Sequence, residues 1–138
     1  MVSNGVIASK IEFLNATVSQ LRTLSDLTTA RLEQDYFLKR GVERSLQLCV
    51  EAVIDIAHRL VSLLDEPPCT SASAALATLQ RRGVIESADH YRRMVQFRNI
   101  VVHRYQSVDN AVLVDIVRNR LGDLERFVEE VRHANVGP

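Results

Sequence analysis

The sequence predicts an all-α fold, an up-and-down bundle of about five helices. Three observations carry that expectation. Apolar residues recur at steps of three and four over long stretches, the spacing of one helix face. Glycine and proline are scarce, at five and three of 138 residues, so few points exist where a helix must stop. No stretch alternates apolar and polar residues as a half-buried strand does.

Val6, Ile7, Ile11, Leu14, Val18, Leu21, Leu24 and Leu27 form the first stripe, which predicts a helix over residues 5–30. Ser3 or Asn4 is placed to cap it. A second helix is expected from about Glu33 to Leu64, with Val42, Leu46, Cys49, Val50, Val53, Ile56, Ala57, Leu60 and Leu64 inside. Its length would be roughly 45 Å at 1.5 Å per residue. Gly41 falls within it, at a cost of about 1 kcal/mol relative to alanine. Asp65-Glu66-Pro67-Pro68 ends it, since proline cannot continue a helix and disfavours helical dihedrals in the residue before it. Ser71 or Ser73 caps a short helix through Leu76 and Leu79 to Arg82, and Gly83 stops it. Ser87 caps a fourth helix running through Tyr91, Met94 and Val95 to about His103. After a loop at 106–110, Val112, Leu113, Ile116, Val117, Leu121, Leu124, Phe127, Val128 and Val131 mark the last helix, weakened locally by Gly122. Residues 135–138 read as a frayed tail. Short connections favour antiparallel packing of the helices.

A chain of 138 residues fits one domain spanning 1–138 and buries a core without disulfide or metal support. Hydrophobic residues at 46% and charged residues at 25% exclude a disordered chain. Formal net charge is zero, so nucleic-acid binding would need a local patch. Cys49 and Cys69 are the only cysteines and form neither a disulfide framework nor a zinc motif, which favours a reducing compartment. The N-terminus lacks the basic and apolar regions of a signal peptide. No run approaches the roughly 18 apolar residues of a membrane helix. The expectation is a cytoplasmic protein with no membrane role.

Charge is uneven along the chain. Arg81, Arg82, Arg92, Arg93, Arg98 and Arg104 face only Glu86 and Asp89 between positions 81 and 104. Such a patch suits phosphate binding, and Arg93 and Arg104 are the candidates to hold phosphates. The plainer reading is a solvated face whose arginines pair with acids on neighbouring helices.

Within the patch lies Phe97-Arg98-Asn99-Ile100-Val101-Val102-His103-Arg104-Tyr105. Arg98 offers a permanent cation with a planar donor fork. His103 titrates near neutrality and exchanges protons. Asn99 lies four residues before His103, on the same helix face, where it could fix the imidazole tautomer or hold a phosphate oxygen. Arg98 and His103 stand about 140° apart around an ideal helix. Their convergence needs a long arginine reach, a helix end near His103, or a second subunit. Taken alone, an Arg-x4-His spacing is more often a histidine satisfied beside a core. The remaining histidines carry less. His58 reads as a hydrogen-bonding group near Asp55 and Arg59, His90 sits in a first helical turn, and His133 sits in a last turn, where a cation is favoured. No histidine pair or carboxylate cluster has metal-ligand spacing, and no phosphate-cradling glycine loop or nucleophile motif is present.

RNIVVHRY resembles the Arg-x4-His-x-Tyr signature of HepT-like toxins in the HEPN superfamily of helical ribonucleases. VERSLQLCVEAVIDIAHRLVS resembles the family's long second helix, and LQRRGVI with MVQFRNIVVHRY its approach to the site, in the expected order over residues 33–105. The resemblance implies a HEPN-type bundle acting as a homodimeric, metal-independent ribonuclease, with no cofactor. Arg98 and His103 would be catalytic, and Asn99 the supporting polar residue. Two motifs facing each other across a dimer would supply the base and the acid that RNA cleavage by 2′-hydroxyl attack requires. An MNT-type nucleotidyltransferase antitoxin is the implied partner, using ATP as its own substrate to adenylylate Tyr105. AMP there would place phosphate charge and bulk where RNA phosphate must sit. An alternative is a non-catalytic helical bundle that docks on a nucleotidyltransferase and helps bind its substrate.

Overall fold

A computed structural model describes residues 5–103 and 108–134 of the chain, with side chains up to Val101 and again from Val108. The elements in order are α1 (Gly5–Arg22), α2 (Thr29–Gln34), α3 (Tyr36–Leu63), α4 (Ala72–Arg81), a 3₁₀ turn (Ala88–Tyr91) leading into α5 (Arg92–His103), α6 (Asn110–Asp115), a π turn (Ile116–Arg120) and α7 (Leu121–His133). Among the described residues there is no strand.

α3 is the axis of the bundle. It touches α1, α2, α4, α5, α6 and α7. Its stripe from Val42 through Leu46, Cys49, Val50, Val53, Ile56 and Ala57 to Leu60 is buried as expected, and it runs through Gly41 without a break. Burial of such a side chain contributes about 1.5–3 kcal/mol, so this one stripe accounts for much of the packing free energy. α1 rests on α3 and α7 and buries Ile7, Leu14, Val18 and Leu21.

The ends follow local chemistry. Asp35, Ser71, Ser87 and Asp109 accept from the amides of Leu38, Ala74, Asp89 and Ala111 at 3.0, 3.0, 3.2 and 2.7 Å. Ser71, not Ser73, is thus the cap of α4. Gly83 sits at φ +76°, and the Val84 amide donates back to the Leu79 carbonyl at 2.9 Å. That six-residue closure requires the left-handed region, which glycine enters without steric cost. α3 ends the same way on Asp65, at φ +58°, with the Glu66 amide donating to the Val61 carbonyl.

Two expectations are corrected. The first helix stops at Arg22 instead of continuing to residue 30. The Thr23 hydroxyl donates to the Gln20 carbonyl at 2.6 Å, and the amides of Thr23, Leu24 and Leu27 each reach back only three residues. Thr28 then starts the separate α2 by accepting from the Arg31 amide. Asp35 both closes α2 and caps α3, so the long helix begins at Tyr36. Hydroxyl and carboxylate side chains compete here with helical backbone bonds. The last helix is likewise interrupted by the π turn at 116–120. Asp115 accepts from Asn119 at 2.9 Å and from Arg120 at 3.4 Å, the four- and five-residue reach that a wider turn brings onto one face. The expected tail at 135–138 and the Ser3 or Asn4 cap lie outside the described residues.

Candidate functional site

α5 carries the motif. It starts from a rigid anchor: Tyr91 is fully buried, packs edge-on against Phe127 at 5.3 Å, and donates its hydroxyl to the Glu130 carboxylate. Glu130 also accepts from the Glu86 amide at 2.7 Å. Burial, and then the carboxylate beside it, raises the Tyr91 pKa far above the ordinary phenol range. Met94 and Phe97, one and two turns on, are buried with it and fix the rotation of α5.

That rotation decides where the motif residues stand. Arg98 follows Tyr91 by seven positions and Met94 by four, so it lies at the edge of the buried face. It is half-buried, and among the described residues it has no hydrogen-bond or ion-pair partner. Asn99 and Ile100 are exposed. The backbone of His103 closes α5, about 140° around the helix from Arg98. The side chain of His103, and Arg104 and Tyr105 entirely, lie outside the described residues. Within α5, then, the two proposed catalytic positions diverge.

The basic segment also divides. Arg81 and Arg82 both bind Glu66, at 2.8 and 2.6 Å, and their hydrogen bonds hold its carboxyl below the usual range. They brace the turn between α3 and α4 and are committed there. Arg92 stands 3.9 Å from Asp89 on the surface. Arg93 lies across a groove of about 350 Å³ between α5 and α6, floored by Leu46, Val50 and Phe97. Its charge there helps lower the Asp115 pKa, after larger contributions from Asn119 and Arg120. Of the arginines described in this segment, Arg93 and Arg98 make no hydrogen bond or ion pair among the described residues, and Arg98 alone has no acid's charge acting with it.

One acid near the motif escaped the sequence reading. Glu43 stands on α3 in line with Leu46 and Val50, three and seven positions on, with its side chain 12% exposed. Its Oε2 accepts from the Val108 amide at 3.0 Å, and its Oε1 stands 3.6 Å from Arg40. Val108 is buried and is the third residue after Tyr105 in the sequence, so Glu43 fixes the described chain to the central helix at Val108. The available signal was a carboxylate placed on an otherwise apolar stripe.

The other histidines sit apart. His90 Nδ1 is 2.8 Å from Arg126, whose guanidinium can only donate. His133 faces Glu129 at 3.4 Å. Among the described residues no group of histidine, cysteine and acidic side chains has metal-site geometry, and no helix is long and apolar enough to cross a membrane.

Residues 14–131 match the family described as Ribonuclease HepT-like. The chain is 28% identical over 131 residues to the mRNA nuclease HepT of Shewanella oneidensis, covering 94% of this chain and 98% of that one. Its structure is similar to that of the tri-AMPylated Shewanella oneidensis HEPN toxin solved in complex with an MNT antitoxin. The TM-score is 0.83 at 27% identity, over 95% of this chain and 99% of the other. A toxin–antitoxin crystal structure with AMP-PNP is similar too, with TM-score 0.83 at 26% identity, over 95% and 100% of the two chains.

Proposed function

The chain belongs to the HepT-like ribonuclease family, and from that premise we propose that it is the metal-independent endoribonuclease toxin of a HEPN/MNT toxin–antitoxin pair, acting in the cytoplasm as a homodimer. The observation that carries this reading is the intact Arg98-Asn99-x3-His103-x-Tyr105 set, with Arg98 unclaimed by any acid among the described residues.

In this reading the RNA 2′-hydroxyl attacks the adjacent phosphorus and the bond to the 5′-oxygen breaks. One imidazole takes the 2′ proton, and a second, protonated imidazole delivers one to the leaving oxygen. One chain supplies one such histidine in the motif, so His103 of each protomer takes one role. The divergence of Arg98 and His103 along α5 has the same remedy, because a second copy brings its own arginine and histidine to the first. Arg98 stabilises the charge that builds on the phosphoryl oxygens. Asn99 orients the imidazole or a phosphate oxygen, and Arg93 and Arg104 hold flanking phosphates.

Silencing would come from the partner. The antitoxin uses ATP as substrate: the Tyr105 oxygen bonds to the α-phosphorus, pyrophosphate leaves, and the phenolic proton is released. AMP on Tyr105 then occupies the place of RNA phosphate. The AMPylated state of the Shewanella toxin supports this assignment.

The test is incubation of the purified chain with cellular RNA in excess EDTA, beside His103→Ala and Tyr105→Phe. Cleavage that survives EDTA and is lost only in His103→Ala is the expected result. AMP transfer from the antitoxin should then fail on Tyr105→Phe alone. Equal cleavage by wild type and His103→Ala, or none by either, overturns the catalytic assignment.

A further inference from the structure

α3 begins with two aromatic side chains that the fold leaves in solvent. Tyr36 is 62% exposed and Phe37 83% exposed, and their rings meet edge-to-face at 5.3 Å. The Arg40 guanidinium stands 5.4 Å from the Tyr36 ring centre and donates to its hydroxyl at 3.3 Å. Four residues after Phe37 comes Gly41, and a Cβ built there meets nothing within 4 Å. The helix row beside the Phe37 ring is therefore bare. The next turn presents Arg44, exposed and without a hydrogen-bond or ion-pair partner among the described residues.

The surroundings favour one kind of occupant. Glu33, Gln34 and Asp35 before the pair are exposed and polar, so the patch lacks the wider apolar surface that the core of a protein interface needs. Two stacked-out rings flanked by arginines are what a flexible polyanion with flat bases recognises. Asp35 is committed to capping α3 and Glu43 to Val108 and Arg40, while Lys39, Arg40 and Arg44 follow the rings along α3. The patch also leads toward Val108, three positions after Tyr105 in the sequence. Tyr36, Arg40 and Glu43 follow at steps of four and three along α3, about 10 Å in all, and the line ends at the bond to Val108.

We propose that Tyr36 and Phe37, with Arg40 and Arg44, form a platform on which bases of single-stranded RNA stack while the arginines hold its phosphates, leading the strand toward the motif. The proposal rests on the ribonuclease reading and names where its substrate is held.

The probe is a single-stranded oligonucleotide carrying 2′-O-methyl groups, which lacks the attacking hydroxyl, titrated into the full chain by fluorescence anisotropy. Phe37→Ala removes a side chain already in solvent and leaves folding intact. It is expected to weaken binding by on the order of tenfold to a hundredfold, with Phe37→Trp restoring it. Arg44→Ala should lower the slope of log affinity against log salt by about one. On unmodified RNA, Phe37→Ala should raise KM with kcat unchanged. Wild-type affinity and KM in Phe37→Ala overturn the platform and leave the ribonuclease reading standing. Loss of self-association in Phe37→Ala, with RNA affinity unchanged, overturns it in favour of a protein interface. Binding that depends on Phe37 without any cleavage by wild type keeps the platform and removes the ribonuclease. A wild-type chain that binds no RNA removes both.

Discussion

Glu43 and Val108, 65 positions apart, meet through one bond: the carboxylate accepts the Val108 amide hydrogen at 3.0 Å. Glu43→Ala leaves that buried amide without its acceptor, an expected loss of about 1–3 kcal/mol. Glu43→Gln keeps an acceptor and should recover most of it. Urea denaturation of the three proteins checks the order, and RNA cleavage should fall in the same order, because Glu43 fixes the chain three positions past Tyr105.

Tyr91 supplies a pH dependence. Its folded pKa is raised, so the native state keeps the phenolic proton where the unfolded chain releases it. The contribution is complete below the ordinary tyrosine pKa of about 10 and is lost as pH rises from there through the folded value. Tyr91→Phe should be less stable than wild type at neutral pH by about 1.5–3 kcal/mol, the range for a hydrogen bond to a charged group. The difference should shrink in urea titrations carried to increasingly alkaline pH, and a constant difference would count against the assignment.

The two thiols should separate by reactivity. Burial pushes the Cys49 thiol up to about 12, and the side chain is fully enclosed by the core. Cys69 is half-exposed. At pH 8 an aromatic disulfide reagent should titrate one cysteine in the native protein and both in urea, since the thiolate is the reacting form.

Gly41→Ala should stabilise the chain by roughly 0.8–1 kcal/mol, the helix-propensity difference. Gly41 lies inside α3, and a Cβ there meets open space. Thermal denaturation reads the shift, and a destabilised variant would mean that this row of α3 is covered in solution.

Much of the bundle is legible in the sequence alone. The α3 stripe, the Ser87 cap, the Gly83 stop and the proline pair after α3 are each written within a few residues of where they act. The break after Arg22 was not, because Leu24 and Leu27 keep helical spacing while their backbone turns, and Leu27 is fully buried all the same. The π turn escaped for a related reason: apolar spacing averaged over the 110–131 stretch does not register one wider turn. The six arginines read as a single patch, yet Glu66 draws Arg81 and Arg82 to the turn between α3 and α4. Proximity in sequence stood in for proximity in space: Arg81 and Arg82 close α4, whereas Arg92, Arg93 and Arg98 stand on α5.

By itself the sequence determined the helical class, the caps and stops, and the motif from Arg98 to Tyr105, because these depend on residue type and on spacings shorter than one or two turns. The tertiary structure alone decided that Glu43 reaches Val108 and that Glu130 holds Tyr91. Bonds across 65 and 39 positions follow from how all the apolar faces pack at once, and α5 takes its rotation from burying Tyr91, Met94 and Phe97 against that shared core.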